Sequence, residues 1–140
     1  MAARADVADI LSGFALFADL STPELESIVQ SFDEVYFSEG ERVIRQGLTA
    51  TGFYVIVEGA ASIVVGGKER TGLRPGDFFG EISSLLGEPP TADIVARQAL
   101  RCLVLAPAQV EEFLIAHPHV MYRVLQGEAR KLRTTTRWLS

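Results

Sequence analysis

The sequence predicts a mainly β fold flanked by α-helices, and three observations predict it. From Asp33 to Ala106, short β-branched and aromatic runs alternate with glycine and proline turns. Ahead of that block, from Val7 to Ser31, apolar residues recur at helical spacing. They do so again from Pro107 to about Thr136. Taken together, residues 1–140 are expected to form a single domain.

In the first block Val7, Ile10 and Leu11 share a helical face that breaks at Ser12-Gly13. A second helix starts at Ser21-Thr22-Pro23-Glu24. Ser21 or Thr22 accepts from free amides there, Pro23 suits the first turn, and Glu24 complements the helix dipole. Leu25, Ile28 and Val29 form its apolar side, and Phe14, Leu16, Phe17 and Leu20 make an apolar connector. The middle block offers strands at 34–37, 42–45, 53–57, 62–65, 93–96 and 100–105, separated by glycines such as Gly47, Gly59 and Gly66-Gly67. In the last block Val110, Phe113 and Leu114 mark one helix. Pro118 punctuates, and Met121, Val124, Leu125 and Leu132 fall on roughly one side of another. Gly127 lies inside that stretch, where it marks a weak point or a close-packing site.

Composition excludes several classes of function. With 13 Lys and Arg against 18 Asp and Glu, the net charge of −5 argues against broad nucleic-acid binding. No apolar run approaches the ~20 residues that span a bilayer, and Met1-Ala-Ala-Arg-Ala-Asp lacks the apolar stretch expected of a signal peptide. The single cysteine, Cys102, forms no internal disulfide, which points to a cytoplasmic protein. His117 and His119 lack further ligands, so no metal site is expected. Ser83 and Ser84 have no histidine nearby, and no hydrolase, zincin or phosphate-loop pattern occurs, so the chain is not expected to be an enzyme. The basic residues Arg130, Lys131, Arg133 and Arg137 read as a solvated helix face.

One stretch is neither strand nor ordinary loop: Pro75-Gly-Asp-Phe-Phe-Gly80-Glu81-Ile82 through Pro89-Pro90-Thr91-Ala92. A short helix from Gly80-Glu81 to Leu86 places unpaired amides, with partial positive charge, where an anion can sit. The Glu81 carboxylate accepts from a sugar hydroxyl, and Thr91 adds a hydroxyl, a combination that suits a nucleotide.

The order Gly40, Ile44 to Gly47, Phe53 to Gly59 and Pro75-Gly-Asp-Phe-Phe-Gly-Glu resembles the cyclic nucleotide-binding domain of catabolite-activator-type regulators, kinase regulatory subunits and gated channels. The resemblance runs from about Leu11 to Thr135. It implies an eight-stranded β-roll, a double-stranded jelly-roll-like fold, with N-terminal helices and C-terminal lid helices. It also implies that Glu81 binds the ribose, and that the backbone of Gly80, Glu81 and Ile82 cradles the phosphate. Thr91 and Ala92 close the cassette, Ile63 and Leu73 line the purine pocket, and the last helix, around Leu132 and Thr135, caps the base. The family's cassette usually reads Pro-Arg-Thr-Ala or Pro-Arg-Ser-Ala, whereas Pro90 stands here in place of the arginine. The implied ligand is cAMP or cGMP, with no cofactor.

Two functions follow as expectations. One is a sensor whose occupied cassette moves the lid helix and acts on a fused effector domain. The other is a degenerate member that serves as an interaction module, for example as a homodimer through the C-terminal helix. A chain ending at Ser140 leaves no room for a helix-turn-helix after the lid, so any effector is expected to lie outside it.

Overall fold

The computed structural model describes residues 2–47 and 52–139. Helix α1 spans Ala2–Leu11, a 3-10 turn follows at Ala15–Phe17, and α2 spans Thr22–Val29. Ser21 caps α2 reciprocally. Its hydroxyl accepts from the Glu24 amide at 3.3 Å, and Glu24 Oε1 accepts from the Ser21 amide at 2.9 Å. Eight strands follow: β1 Asp33–Phe37, β2 Arg42–Ile44, β3 Phe53–Glu58, β4 Ala61–Val65, β5 Lys68–Leu73, β6 Phe78–Phe79, β7 Asp93–Ala96 and β8 Leu100–Leu105. A short helix, α3 (Glu81–Leu86), stands between β6 and β7, while α4 (Pro107–Ala116) and α5 (Pro118–Leu139) close the chain.

The strands form two four-stranded antiparallel sheets, ordered β1-β8-β3-β6 and β2-β7-β4-β5. This is the expected β-roll with helices at both ends. The β4–β5 hairpin pairs Val65 with Lys68 and turns on Gly66-Gly67, with φ of +58° and +78°. Two successive positive φ values make the turn whose twist matches paired strands, and glycine adopts them without strain.

Alternation along β3 and β8 builds two cores. Phe53, Val55 and Val57, with Leu103 and Leu105, face the helices and pack against Val7, Leu11, Phe17, Ile28, Phe32, Phe113 and Val124. Ile56, Leu100 and Cys102 face the roll interior with Ile44, Ala61, Leu73, Phe79, Ile94 and Ala96. Burial on both faces explains why these strands read as continuous apolar runs. Each fully buried Leu, Val or Phe contributes roughly 1.5–3 kcal/mol. Cys102 is completely buried, and burial pushes its thiol up to about 12, so it stays protonated and inert.

The last helix differs from its expected phase. Val124 is buried, but Met121, Leu125 and Leu132 are exposed. The inward face is instead Val120, Val124, Gly127 and Lys131, at spacings of four, three and four. Gly127 sets this phase, because a Cβ there would lie 2.7 Å from Phe78 Cζ and only glycine lets the helix approach so closely. Arg123 fixes the same face by a two-pronged pair with Asp19, at 2.8 and 2.9 Å. No described helix is long and apolar enough to cross a membrane.

Candidate functional site

The site is built where β6 runs into α3. Gly80 turns the chain with a φ of +83° and starts the helix. The first backbone bond of the helix runs from the Ser84 amide to the Gly80 carbonyl at 3.2 Å, so the amides of Glu81, Ile82 and Ser83 precede the ladder. Gly87, with a φ of +67°, ends the helix as a left-handed cap. The loop that follows is pinned by two bonds. The Ser83 hydroxyl donates to the Glu88 carbonyl, and the Gly47 amide donates to the Pro90 carbonyl at 2.9 Å.

These elements enclose a cavity of about 230 Å3. Gly80, Glu81, Ile82, Thr91, Ala92 and Ile63 all line it, as does Pro90. Six of the nine residues expected at the site therefore converge. Leu73 lines a second cavity of about 370 Å3, beneath α5. Ile63, Phe78 and Lys131 line both cavities and form their common wall.

Leu132 and Thr135 line neither cavity. Leu132 is 69% exposed, on the side of α5 away from Gly127 and Lys131. Thr135 is also exposed, and its hydroxyl donates to the Lys131 carbonyl of its own helix. Capping of a base by these two residues is not a feature of this arrangement, because the close Gly127–Phe78 packing turns other residues inward.

Glu81 is 2% exposed and takes part in a network absent from the sequence reading. Lys131 Nζ donates to Glu81 Oε1 at 2.8 Å and to Glu128 Oε1 at 3.3 Å. The same ammonium lies 4.8 Å from the centre of the Phe78 ring. Burial works against the charge on Lys131, but the Glu81 and Glu128 carboxylates outweigh it and raise its pKa. Arg97 and Arg74 do not line the cassette cavity. Arg97 instead donates to Ser62 at 3.1 Å and pairs with Glu69 at 3.2 Å. Lys131 is thus the one cation among the described residues that lines the cassette cavity. Among the described residues no group of three or more His, Cys, Asp or Glu is placed to hold a metal.

Burial, together with a hydrogen bond to Glu81 and the charge of that neighbour, pushes the Glu128 carboxyl up to about 7, against the pull of Lys131. A raised carboxyl pKa means that the folded state holds the proton more tightly than the unfolded chain does. The resulting stabilisation is complete below the ordinary value of 4.5 and lost as pH rises through about 7. Glu128→Gln is therefore expected to flatten the fall in stability between pH 5 and pH 8, measured as the urea midpoint at each pH. An unchanged pH profile would show that Glu128 titrates as an ordinary carboxylate.

A buried carboxylate, a glycine-started helix and a small-residue loop around one cavity match a known family. Residues 34–117 match the family model described as the cyclic nucleotide-binding domain. The chain belongs to the cyclic nucleotide-binding domain family. It is 28% identical over 119 residues to a cGMP-dependent protein kinase of Toxoplasma gondii, a span that covers 85% of this chain and 12% of that protein. The catabolite activator protein of Thermus thermophilus has a similar structure, with a TM-score of 0.79 and 26% identity over 89% of this chain and 61% of that one. The cAMP co-crystal structure of the regulatory domain of Toxoplasma gondii PKA shares the fold, with a TM-score of 0.75 and 20% identity over 91% of this chain and 50% of that one. The chain therefore spans only part of each relative. As a cyclic nucleotide-binding domain it is a regulatory, non-catalytic module.

Proposed function

We propose that residues 1–140 form one ligand-sensing domain of a regulatory protein and that its ligand is cAMP or cGMP. A sugar hydroxyl of the ligand donates to Glu81, and the cyclic phosphate lies against the amides of Gly80, Glu81 and Ile82. Thr91 and Ala92 close the loop, and the base rests on Ile63 and Leu73. Occupancy repositions α5, which passes the signal to a fused or partner effector and brings Leu132 and Thr135 towards the base. The observation that carries this reading is the Glu81 carboxylate, nearly fully buried yet opening onto a cavity. Burying a carboxylate is costly unless it is paired, and Glu81, balanced by Lys131 at the wall of a cavity, is an acceptor that a ligand hydroxyl can reach. The cassette is degenerate in one respect. Pro90 offers no cation, and a hydrogen bond to a charged group contributes about 1.5–3 kcal/mol, so affinity is expected to be ten- to hundredfold below that of an arginine-bearing cassette.

Titration calorimetry with cAMP and with cGMP tests the reading. Saturable binding is expected, and Glu81→Gln is expected to weaken it by tenfold or more, because the hydroxyl then meets a neutral acceptor. Absence of heat with either nucleotide at millimolar concentration would leave the protein a scaffold.

A second reading rests on α5 itself. Met121, Leu125 and Leu132 are 41%, 62% and 69% exposed along one side of it. An apolar stripe on a long helix suits a homodimer through that helix. Sedimentation equilibrium distinguishes the two states, and Leu125→Glu is expected to abolish any dimer.

A further inference from the structure

Lys131 links three parts of the fold. It lies on α5, its ammonium bonds the buried Glu81 of α3 at 2.8 Å, and it rests over Phe78 of β6. Upstream, α5 is held by Val120 and Val124 in the core, by the Arg123–Asp19 pair and by Gly127 against Phe78. Residues 129–136 are all exposed. Among the described residues, the hydrogen bonds, ion pairs and ring contacts from this stretch to the roll are those of Lys131. The hydroxyls of Thr135 and Thr136 bond only to carbonyls of their own helix.

We infer that Lys131 is a built-in competitor for the nucleotide, a latch that occupies the Glu81 acceptor and fixes the end of α5 in its present phase, with Leu132 and Thr135 turned away from the site, until ligand displaces it. The inference rests on the cyclic nucleotide reading above and adds its regulation. Glu81 is too deeply buried to go without a donor, and its donor in this structure is Lys131. Pairing with an ammonium is stronger than pairing with a neutral hydroxyl, so a sugar must be helped by its base and phosphate to take the acceptor. The cavities lead to the same conclusion. Small-molecule pockets typically measure about 300–1,000 Å3, and the cassette cavity alone has about 230 Å3. Its neighbour of about 370 Å3 lies behind the wall formed by Ile63, Phe78 and Lys131. Withdrawal of Lys131 removes part of that wall and frees Glu81 in one movement. A latched majority lowers the apparent affinity in proportion to the unlatched fraction.

The test uses the whole chain, with Lys131→Met and Lys131→Gln beside the parent, and reads amide hydrogen exchange and calorimetric titration with cAMP and cGMP. Both variants are expected to exchange faster at residues 129–136 and unchanged at 118–126. Lys131→Met is expected to bind nucleotide at least tenfold more tightly than the parent. The glutamine variant keeps a neutral donor for Glu81 and is expected to fall between the two, which keeps the test valid if the methionine variant folds poorly. Weaker or equal binding by Lys131→Met, beside a parent that binds, would overturn the latch and leave the nucleotide reading intact. So would unchanged exchange at 129–136. Failure of all three proteins to bind would overturn the nucleotide reading, and the competition with it. Binding by the variants and not by the parent would establish the latch in its strongest form.

Discussion

Replacing Arg101 by methionine is expected to cost the fold about 3–5 kcal/mol, the range found when one member of a buried ion pair is removed. Arg101 lies on β8 with its side chain 11% exposed. Its guanidinium reaches Glu34 of β1, Glu58 of β3 at 2.8 Å and Asp6 of α1 at 3.2 Å. One side chain thus ties three strands to the first helix. Burial opposes its charge, and bonds to Glu34, Glu58 and Asp6 more than restore it, so its pKa is raised. The three carboxylates are not equivalent. Glu34 is 14% exposed, while Glu58 and Asp6 are 58% and 59% exposed. Water solvates the outer two when the arginine goes, but Glu34 stays buried and loses the Arg101 charge, while the Tyr36 hydroxyl still donates to it at 2.9 Å. The cost of the substitution is therefore the cost of Glu34. Two controls follow. Glu58→Gln is expected to cost less than about 1 kcal/mol, as exposed pairs do. Arg101→Met combined with Glu34→Met is expected to regain most of the loss, because no charge then remains buried. Urea unfolding of the four proteins decides. A single Arg101→Met variant within 1 kcal/mol of the parent would show the network to be solvated.

What the sequence made legible follows from how each element is stabilised. Strands β3, β4 and β8 were readable because their side chains are buried on one or both sheet faces, which writes apolar runs into the chain. Strand β5, Lys-Glu-Arg-Thr-Gly-Leu, was not readable residue by residue. It is an edge strand exposed at every position before Leu73, held by its ladder to β4 rather than by its own side chains. Strand β6 has two residues, too few to show a period. The Ser21 cap was legible because its partner lies three residues away. The cassette was legible through the order of its glycines and Glu81, and six of its residues meet at one cavity. The partner of Glu81 was not, because it comes from 50 residues further along the chain. Lys131 stands among Arg130 and Arg133, and a run of cations on a helix reads as a wet face. The available signal was Gly127 itself. A glycine in a helix interior that aligns with Val120 and Val124 marks an inward face, and the next turn of that face is Lys131.

Replacing Pro90 by arginine is expected to tighten binding of cAMP or cGMP ten- to hundredfold. The backbone at this position is already fixed, since the Pro90 carbonyl accepts from Gly47 and the residue lines the cavity with Thr91 and Ala92. A side chain grown from position 90 therefore starts at the wall of the site. Lys131, the only cation there among the described residues, is committed to Glu81 and Glu128, so a phosphate against the α3 amides meets partial charges and a cation already paired. An arginine fork would supply a charge-assisted pair of about 1.5–3 kcal/mol. Loss of the proline ring returns about 0.4–1 kcal/mol of chain freedom to the unfolded state, which lowers stability without acting on the ligand. Stability and affinity should thus move in opposite directions, a signature that general tightening of the fold would not produce. Calorimetric titration beside a thermal melt measures both. Unchanged affinity would place position 90 out of reach of the phosphate. Combined with Lys131→Met, the arginine should add its gain to that of unlatching, because one substitution strengthens the bound state and the other weakens the closed one.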